Sequence, residues 1–149
     1  MIHVIKSLEE MDEFASSCAA RFERHAKKDA AAVVGLYGDL GAGKTAFVKA
    51  LAKTYGIAEH ITSPTFVIMK KYSIPQPRTS HFKLLIHLDA YRLEKGSELE
   101  HLGWNEIISN PQNLVCIEWP ERVADVMPKD HSALKFTFID ETVREVVIQ

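Results

Sequence analysis

The sequence predicts an α/β fold in which helices flank a mixed β-sheet that includes antiparallel hairpins. Segments with apolar residues at helical spacing alternate along the chain with short segments rich in β-branched residues. A glycine-rich turn joins a buried strand pattern at residues 30–37 directly to a helical pattern. Other strand patterns are separated only by turns, and parallel strands need longer connections. The sheet is therefore expected to be mixed, not purely parallel.

In the first half of the chain, the pattern predicts a helix, a strand and a second helix. Ser7 and Glu10 form a capping box, and apolar residues at helical spacing follow as far as about residue 28. Residues 30–37 form an apolar run of strand length, and residues 46–55 resume the helical spacing. No strand is expected before the first helix.

In the second half, strands predominate. The apolar segments 66–74 and 82–89 flank turn-forming residues at 75–80, which predicts an antiparallel hairpin. The remaining predicted elements are a short helix capped by Ser97 and Glu100, helical turns at 105–109, a strand at 114–119, and a closing hairpin formed by 134–140 and 142–148.

The composition indicates one globular domain covering residues 1–149. Hydrophobic residues make up 46% and charged residues 26%, and a formal net charge of -2 gives no general attraction to nucleic acid or membrane. No apolar run approaches the ~18 residues of a membrane span. Cys18 and Cys116 lie in apolar segments without metal-ligand spacing, which indicates buried thiols in a reducing compartment. We therefore expect a cytoplasmic protein that does not enter a membrane.

Residues 38–45 read Gly-Asp-Leu-Gly-Ala-Gly-Lys-Thr and match the P-loop pattern GxxxxGK[ST]. Glycines allow backbone N–H groups to surround phosphate oxygens, and the positive end of the next helix points at the same anion. Lys44 is the residue type that reaches the β- and γ-phosphates, and Thr45 offers a hydroxyl to Mg²⁺. The predicted nucleotide site comprises Gly38, Asp39, Leu40, Gly41, Ala42, Gly43, Lys44 and Thr45.

Two acidic residues end apolar strand patterns. A P-loop needs a carboxylate at the end of a neighbouring strand to hold Mg²⁺, and we assign Asp89 to this role, directly or through water. Glu118 is expected to orient or deprotonate the attacking water or to add a metal contact, but it could instead cap the segment after Pro120. His87 and Tyr91 are expected on the same strand face as Asp89, with His87 more typical of a hydrogen-bonded sheet residue than of a catalytic one.

Other polar residues permit more than one interpretation. The loop ending in Thr65 could sense a γ-phosphate, although Ser-Pro-Thr is also a common turn sequence. Trp119, beside Glu118, is typical of either the core or the site. The hairpin is locally basic, which indicates a solvated face or a contact with RNA or an acidic partner; its basic residues are Lys70, Lys71, Arg78 and Lys83.

Together, these motifs resemble the bacterial TsaE (YjeE) family. The matching segments are the P-loop at 38–45, Ser-Pro-Thr-Phe at 63–66, His-Leu-Asp-Ala-Tyr-Arg-Leu at 87–93, Glu-Leu at 98–99 leading to Leu-Gly at 102–103, and Ile-Glu-Trp at 117–119. They occur in the family's order and cover nearly the whole chain. The segment 73–83 is longer than the tight turn typical of such hairpins, so any partner contact made there is expected to differ.

The resemblance implies a small ATPase with a P-loop NTPase-like fold that uses ATP and Mg²⁺. It also implies TsaB-like and TsaD-like partners, whose complex modifies the adenosine adjacent to the tRNA anticodon, with tRNA contacted indirectly through that complex. ATP hydrolysis would support turnover of the complex without performing the transfer. The resemblance assigns phosphate binding to Lys44, magnesium binding to Thr45, the family's motif acid to Asp89, the switch-like threonine to Thr65, and the Glu-Trp pair near the nucleotide to Glu118 and Trp119.

Other P-loop functions fit the sequence less well. A small-molecule kinase needs an acceptor pocket and an arginine-bearing lid, yet only 28 residues separate Asp89 from Glu118 and the chain has few arginines. A GTPase would need Asn-Lys-x-Asp and a DxxG switch, and the sequence has neither. A nucleotide-dependent interaction module with incidental hydrolysis remains open, because no arginine finger is evident and a partner could supply the missing group.

Overall fold

The structure is a computed structural model, and it describes residues 1–75 and 80–149. The strands are β1 (Ile2–Ile5), β2 (Ala32–Tyr37), β3 (Met69–Ser73), β4 (Leu84–Asp89), β5 (Asn113–Glu118), β6 (Ser132–Phe138) and β7 (Arg144–Ile148). The helices are α1 (Leu8–Arg24), α2 (Lys44–Thr54), α3 (Gly96–Glu100) and α4 (Trp104–Ser109), with a 3₁₀ helix at Pro120–Val126. No helix in the described ranges is long and apolar enough to cross a membrane.

The strands form one seven-stranded sheet in the order β1-β7-β6-β2-β5-β4-β3. The central pairs β6–β2, β2–β5 and β5–β4 are parallel. The outer pairs β1–β7, β7–β6 and β4–β3 are antiparallel. The predicted mixed sheet and both predicted hairpins are therefore confirmed. The glycine-rich turn leaves the carboxyl end of β2, at the middle of the sheet.

Each face of the sheet is covered by a different set of helices. Side chains alternate between faces along a strand, so Val34 and Leu36 of β2 pack with α1 and α2, whereas Val33 packs on the opposite face. That opposite face is covered by the α3–α4 region and the 3₁₀ helix, through residues such as Trp104 and Val123. The helices α1 and α2 therefore share one face, next to the carboxyl end of β2.

The N-terminal strand was not predicted. Residues Ile2–Ile5 pair antiparallel with β7 and form one edge of the sheet. This strand is short, and the apolar residues Ile2, Val4 and Ile5 do not distinguish it from the start of a helix. Its conformation therefore depends on pairing with β7. The helix α1 then begins after Ser7, whose hydroxyl accepts from the Glu10 N–H as predicted, but it ends at Arg24 rather than near residue 28.

Several other boundaries differ from the predicted ones. The strand β3 begins at Met69 and not at residue 66, because residues 64–68 form a hydrogen-bonded turn and Ile68 has a positive φ of 69°.

The predicted capping box at Ser97 is wrong. The N-cap of α3 is Lys95, and its side chain makes no capping hydrogen bond. The Glu98 carboxylate instead accepts from the Glu94 N–H. The 3₁₀ helix was not predicted.

The hairpin between β3 and β4 has the predicted antiparallel register, from Met69 opposite Leu88 to Ser73 opposite Leu84. The predicted turn at 75–80 lies largely outside the described residues, as do Pro77 and Arg78. The Ser80 hydroxyl and the His81 N–H both donate to the Glu23 carboxylate of α1. The end of the hairpin is therefore anchored to the α1–α2 face.

Candidate nucleotide-binding site

The glycine-rich loop between β2 and α2 adopts a backbone that only glycine accommodates easily. Gly38, Gly41 and Gly43 have φ values of 138°, 79° and 108°, all in the region that L-residues avoid. A Cβ on Gly38 would lie 2.5 Å from the Phe136 carbonyl oxygen on β6. The glycine at 38 is therefore required both by its dihedral angle and by the close approach of β6.

The helix α2 begins at Lys44, two residues earlier than predicted, with Gly43 as its N-cap. The first N–H groups of a helix have no partners within the helix and carry its positive dipole end. No acidic residue lies in this first turn to compete for them. The loop and the helix start therefore present backbone donors to one cavity of about 320 Å³, as an anion site requires.

The Lys44 side chain is buried at this cavity, with 4% exposure. Its Nζ donates to the Gly38 carbonyl oxygen and lies 3.8 Å from the centroid of the Trp119 ring. Burial lowers the pKa of the Lys44 ammonium, and the carboxylates of Glu118, Glu121, Asp89 and Asp39 act in the opposite direction. An ammonium held among acidic groups at the cavity beside the P-loop is suited to contact the phosphates of a nucleotide.

The ends of β4 and β5 bring two carboxylates to the same place. The parallel register sets Asp89 directly opposite Glu118. Both side chains lie on the α2 face, because each is an even number of residues from a strand residue of that core, Leu85 or Cys116. Both are 4% exposed. The sequence-predicted acids are thus neighbours at the carboxyl edge of the sheet, beside the start of α2.

Glu118 connects the P-loop to the sheet. Its Oε2 accepts from the Thr45 hydroxyl at 3.0 Å and lies 2.6 Å from His87 Nε2. His87 is fully buried, and its contact with Glu118 confirms the predicted hydrogen-bonded sheet histidine. The alternative that Glu118 caps the segment after Pro120 is wrong, because Trp119 occupies that N-cap position and the segment has no side-chain cap.

Asp89 connects the sheet to the loop at 62–65. Its Oδ2 accepts from the Thr65 hydroxyl at 2.9 Å, and its Oδ1 accepts from the Tyr91 N–H at 2.9 Å. The structure therefore brings Thr65 to the predicted site, although Thr65 is 24 residues from Asp89 in the chain. Tyr91 lies beyond the end of β4, so its predicted place on the strand face with His87 is wrong.

Trp119 forms one side of the site in an unusual conformation. Its φ of 58° is left-handed, which is rare for an aromatic residue. The ring lies against Lys44 Nζ, and its centroid is 5.0 Å from that of Tyr91. The positive φ turns the chain sharply between β5 and the 3₁₀ helix, and backbone strain of this kind clusters at functional sites.

Arg144 lies at the candidate site, although no pattern in the sequence predicts it there. It begins β7, lines the cavity beside the P-loop, and carries a buried Nε without a hydrogen-bond partner among the described residues. Its Nη1 donates to the carbonyls of Asp140 and Val143. A lone arginine in an alternating strand gives no functional signal in a single sequence, since its place depends on how β7 joins the sheet.

The side chains at this cavity that could bind a metal ion would do so through oxygen atoms. Thr45, Thr65, Asp89 and Glu118 offer hydroxyl and carboxylate oxygens, the ligand type that Mg²⁺ prefers. Within residues 1–75 and 80–149, no group of three or more histidine, cysteine or acidic side chains could hold a metal ion by itself. A magnesium ion here would therefore rely on phosphate and water oxygens as well, which is its usual coordination beside nucleotides.

Comparison with known proteins gives consistent matches. The profile of the family "Threonylcarbamoyl adenosine biosynthesis protein TsaE" matches residues 5–146. The tRNA threonylcarbamoyladenosine biosynthesis protein TsaE of Borreliella burgdorferi is 39% identical over 95 residues, which cover 64% of each chain. The protein of the same name from Rickettsia bellii is 33% identical over 142 residues, or 95% of this chain and 89% of that one.

The fold has a counterpart among solved structures. The crystal structure of Bacillus subtilis YdiB superposes with a TM-score of 0.72 and 26% sequence identity, over 99% of this chain and 83% of that one. The similarity therefore includes the sheet and the helices on both faces, and is not limited to the P-loop.

Proposed function

Because the chain belongs to the TsaE family of threonylcarbamoyl adenosine biosynthesis proteins, we propose that it binds and hydrolyses ATP to support that tRNA modification. Its partners would be a TsaB-like and a TsaD-like protein, and tRNA would be reached through their complex. The protein would act in the cytoplasm. The observation that carries the hydrolytic part is the contact of the P-loop Thr45 hydroxyl with the Glu118 carboxylate, 3.0 Å apart.

The P-loop would bind the phosphates. The backbone N–H groups of residues 38–45 would surround them, and Lys44 would leave the Gly38 carbonyl to contact the β- and γ-phosphates. Thr45, Asp89 and Glu118 would hold Mg²⁺ together with phosphate oxygens. When bound, that ion neutralises the charge that develops on the phosphates. Trp119, which already covers Lys44, would exclude water from one side of the site.

Glu118 and Thr65 would act on the reacting end of the nucleotide. The Glu118 carboxylate is held between Thr45 and His87, where it could orient the attacking water or accept its proton. Thr65 is held by Asp89, and its hydroxyl would sense the γ-phosphate.

Hydrolysis by the protein alone is expected to be slow. Arginine fingers accelerate P-loop hydrolysis by stabilising charge in the transition state. Arg144 lines the cavity, but its Nη1 is bonded to two carbonyls of the β6–β7 turn. A cationic group from the partner complex would complete the site and couple ATP hydrolysis to that complex.

The first test is ATP hydrolysis by the purified protein, alone and with a bacterial TsaB–TsaD pair. We expect slow turnover alone, a several-fold increase with the pair, and no turnover for Lys44→Ala, because the phosphates lose their charge partner. Normal turnover by Lys44→Ala would contradict the P-loop assignment. Fast turnover that is indifferent to the pair would instead favour the small-molecule kinase alternative, which a screen of phosphate acceptors would test.

Glu118→Gln separates binding from hydrolysis. The amide keeps the size of the side chain but cannot accept a proton from water, so we expect ATP binding to remain and turnover to fall by roughly 10²-fold or more. Calorimetric titration with ATP and Mg²⁺, together with phosphate release, would measure both. Glu106→Gln on the exposed side of α4 is the matched control. Loss of ATP binding by a folded Glu118→Gln protein would assign Glu118 a structural role.

A further inference from the structure

A cavity of about 540 Å³ lies at the amino ends of the central strands, at the edge of the sheet opposite the P-loop. It is lined by Ala32 and Ser132, the first residues of the parallel strands β2 and β6. The P-loop follows Tyr37, at the other end of the six-residue strand β2. At about 3.3 Å per residue, the two sites are roughly 20 Å apart. We call this space the amino-edge cavity, and it is separate from the candidate nucleotide-binding site.

One wall of the amino-edge cavity carries positive charge. Arg21 in the last turn of α1, and His25 and Lys27 in the segment after it, are exposed side chains of this wall. Among the described residues that line the cavity, the only carboxylate is that of Asp130, which forms an ion pair with Lys27. The Arg21 guanidinium therefore faces a space without a carboxylate of its own. Guanidinium groups bind phosphate and carboxylate oxygens in a bidentate manner, so the wall suits an anion.

Much of the remaining lining is apolar. Phe22, Ala31 and Val33 are buried side chains that line the cavity. Ile108 and Pro128 add further apolar surface. A bare inorganic anion would gain nothing from such a surface, and the volume lies within the range of roughly 300–1,000 Å³ that is typical of small-molecule pockets. The lining therefore suits an anion that also has an organic body.

Another wall of the cavity is held in a fixed position by hydrogen bonds. His131 Nδ1 lies 2.6 Å from the Pro128 carbonyl oxygen, and His131 Nε2 lies 2.9 Å from the Tyr37 hydroxyl. A Cβ at Gly35 would lie 3.1 Å from His131 Cδ2, so the absence of a side chain at position 35 leaves room for the ring. With both nitrogens engaged, this imidazole is part of a preformed wall, as ligand pockets usually have.

We propose that the amino-edge cavity binds a nucleotide unit. Arg21 and Lys27 would contact its phosphate, and the apolar lining would contact its base. The planar side chains of Arg21 and His25 can also stack on a base, as arginine and histidine do in nucleotide recognition. Ser132 adds a hydroxyl that could bond the ribose. A free mononucleotide and one nucleotide of an RNA strand, such as a tRNA, both supply this chemistry.

The inference goes beyond the proposed function, because the cavity lies at the other edge of the sheet and its ligand does not depend on ATP hydrolysis. The test uses two probes, one for each source of the nucleotide unit. The first is UMP, which lacks the β- and γ-phosphates that a P-loop contacts. The second is an unmodified tRNA transcript. Calorimetric titration would measure UMP binding, and fluorescence anisotropy would measure binding of the labelled tRNA.

Both probes are titrated into the wild-type protein, Arg21→Gln and the matched control Arg24→Gln. Both arginines are exposed in the last turn of α1, but Arg21 lines the cavity and Arg24 does not. The two variants therefore remove the same charge from the same end of the helix. We expect Arg21→Gln to weaken binding by about tenfold, the order of magnitude of a lost hydrogen bond to a charged group. Arg24→Gln should bind like the wild type.

The outcomes identify the source of the ligand or overturn the inference. Binding of UMP that depends on Arg21 supports a free mononucleotide, whereas the same dependence for tRNA without UMP binding supports an RNA strand; dependence with both probes supports the site with either source. If neither probe binds the wild-type protein, or if Arg21→Gln binds them like the wild type, the inference is overturned. Equal weakening by Arg24→Gln would also overturn it, since the effect would then be one of general charge. Loss of ATP binding or hydrolysis in the wild-type protein would contradict the proposed function alone.

Discussion

One oxygen atom, Oε2 of Glu118, lies within hydrogen-bond distance of both Thr45 and His87. An imidazole can donate from Nε2 to a carboxylate oxygen, so the second contact joins His87 directly to Glu118. His87 Nδ1 is buried and has no partner among the described residues. His87 therefore interacts with the site through Glu118, and we infer that it is a positioning residue that holds the carboxylate towards Thr45.

The role of His87 can be tested with a pair of variants. In His87→Leu the carboxylate loses one of its two donors, so we expect kcat for partner-stimulated ATP hydrolysis to fall by roughly 10- to 100-fold, with KM changed much less. His87→Gln keeps an N–H donor and should restore part of kcat. Steady-state phosphate release with circular dichroism as a folding check would measure this. Equal kcat values for His87→Leu and the wild type would contradict the positioning role.

At the scale of secondary-structure elements, glycine decides how two short helical segments pack. The Gly96 N–H at the start of α3 donates to the Asp125 carboxylate of the 3₁₀ helix at 3.1 Å. A Cβ at Gly96 would lie 2.4 Å from Val126 Cγ1 and 2.7 Å from Asp125 Oδ1. The two segments cover the sheet face opposite α1 and α2. Their contact therefore depends on the absence of a side chain at position 96.

Gly96→Ala is expected to destabilise the protein, although alanine favours helices. The added methyl group must displace α3 from the 3₁₀ helix, and such overpacking costs about 1–3 kcal/mol. Denaturant unfolding would measure the decrease in the free energy of unfolding. Ser97→Ala, at the adjacent helical position, is the control and should change that free energy by less than about 0.5 kcal/mol. An unchanged or increased stability of Gly96→Ala would show that the contact can relax at no cost.

At the scale of the whole molecule, the core between the sheet and the α1–α2 layer protects both thiols. Cys18 of α1 and Cys116 of β5 are buried in the same cluster, as the sequence predicted. Burial raises the pKa of Cys18 to about 12, and burial also raises the pKa of Cys116. Both thiols are therefore protonated in the folded protein at pH 8. A thiol reagent can reach them only when the α1–α2 layer separates from the sheet.

Thiol labelling should consequently report opening of this core. At pH 8 we expect negligible reaction of either cysteine with an aromatic disulfide reagent in the native protein and reaction of both in about 6 M guanidinium chloride, since an unfolded thiol has a pKa of about 8.5. ATP with Mg²⁺ should slow labelling further, because a ligand that binds only the folded state reduces its opening. Rapid labelling of one cysteine under native conditions would show that its layer opens locally.

Local patterns in the sequence predicted most of the fold and most of the groups that the structure brings together at the candidate site. The P-loop at 38–45 depends on residue types at fixed spacing, and the strands ending in Asp89 and Glu118 are apolar segments with an acid at their ends. Such features are visible in one sequence because each depends on neighbouring residues alone. They also sufficed for the resemblance that the family profile confirms.

Only the tertiary structure decided how these segments are related in space. The sheet order, which places β7 and β1 beside the P-loop, depends on hydrogen bonds between strands that lie at opposite ends of the chain. The contact of Thr45 with Glu118 spans 73 residues, and Arg144 reaches the site from the last strand. The sequence by itself determined which chemical groups the protein has. Long-range strand pairing decided which of them meet, because periodicity along a chain carries no information about the partner across a sheet.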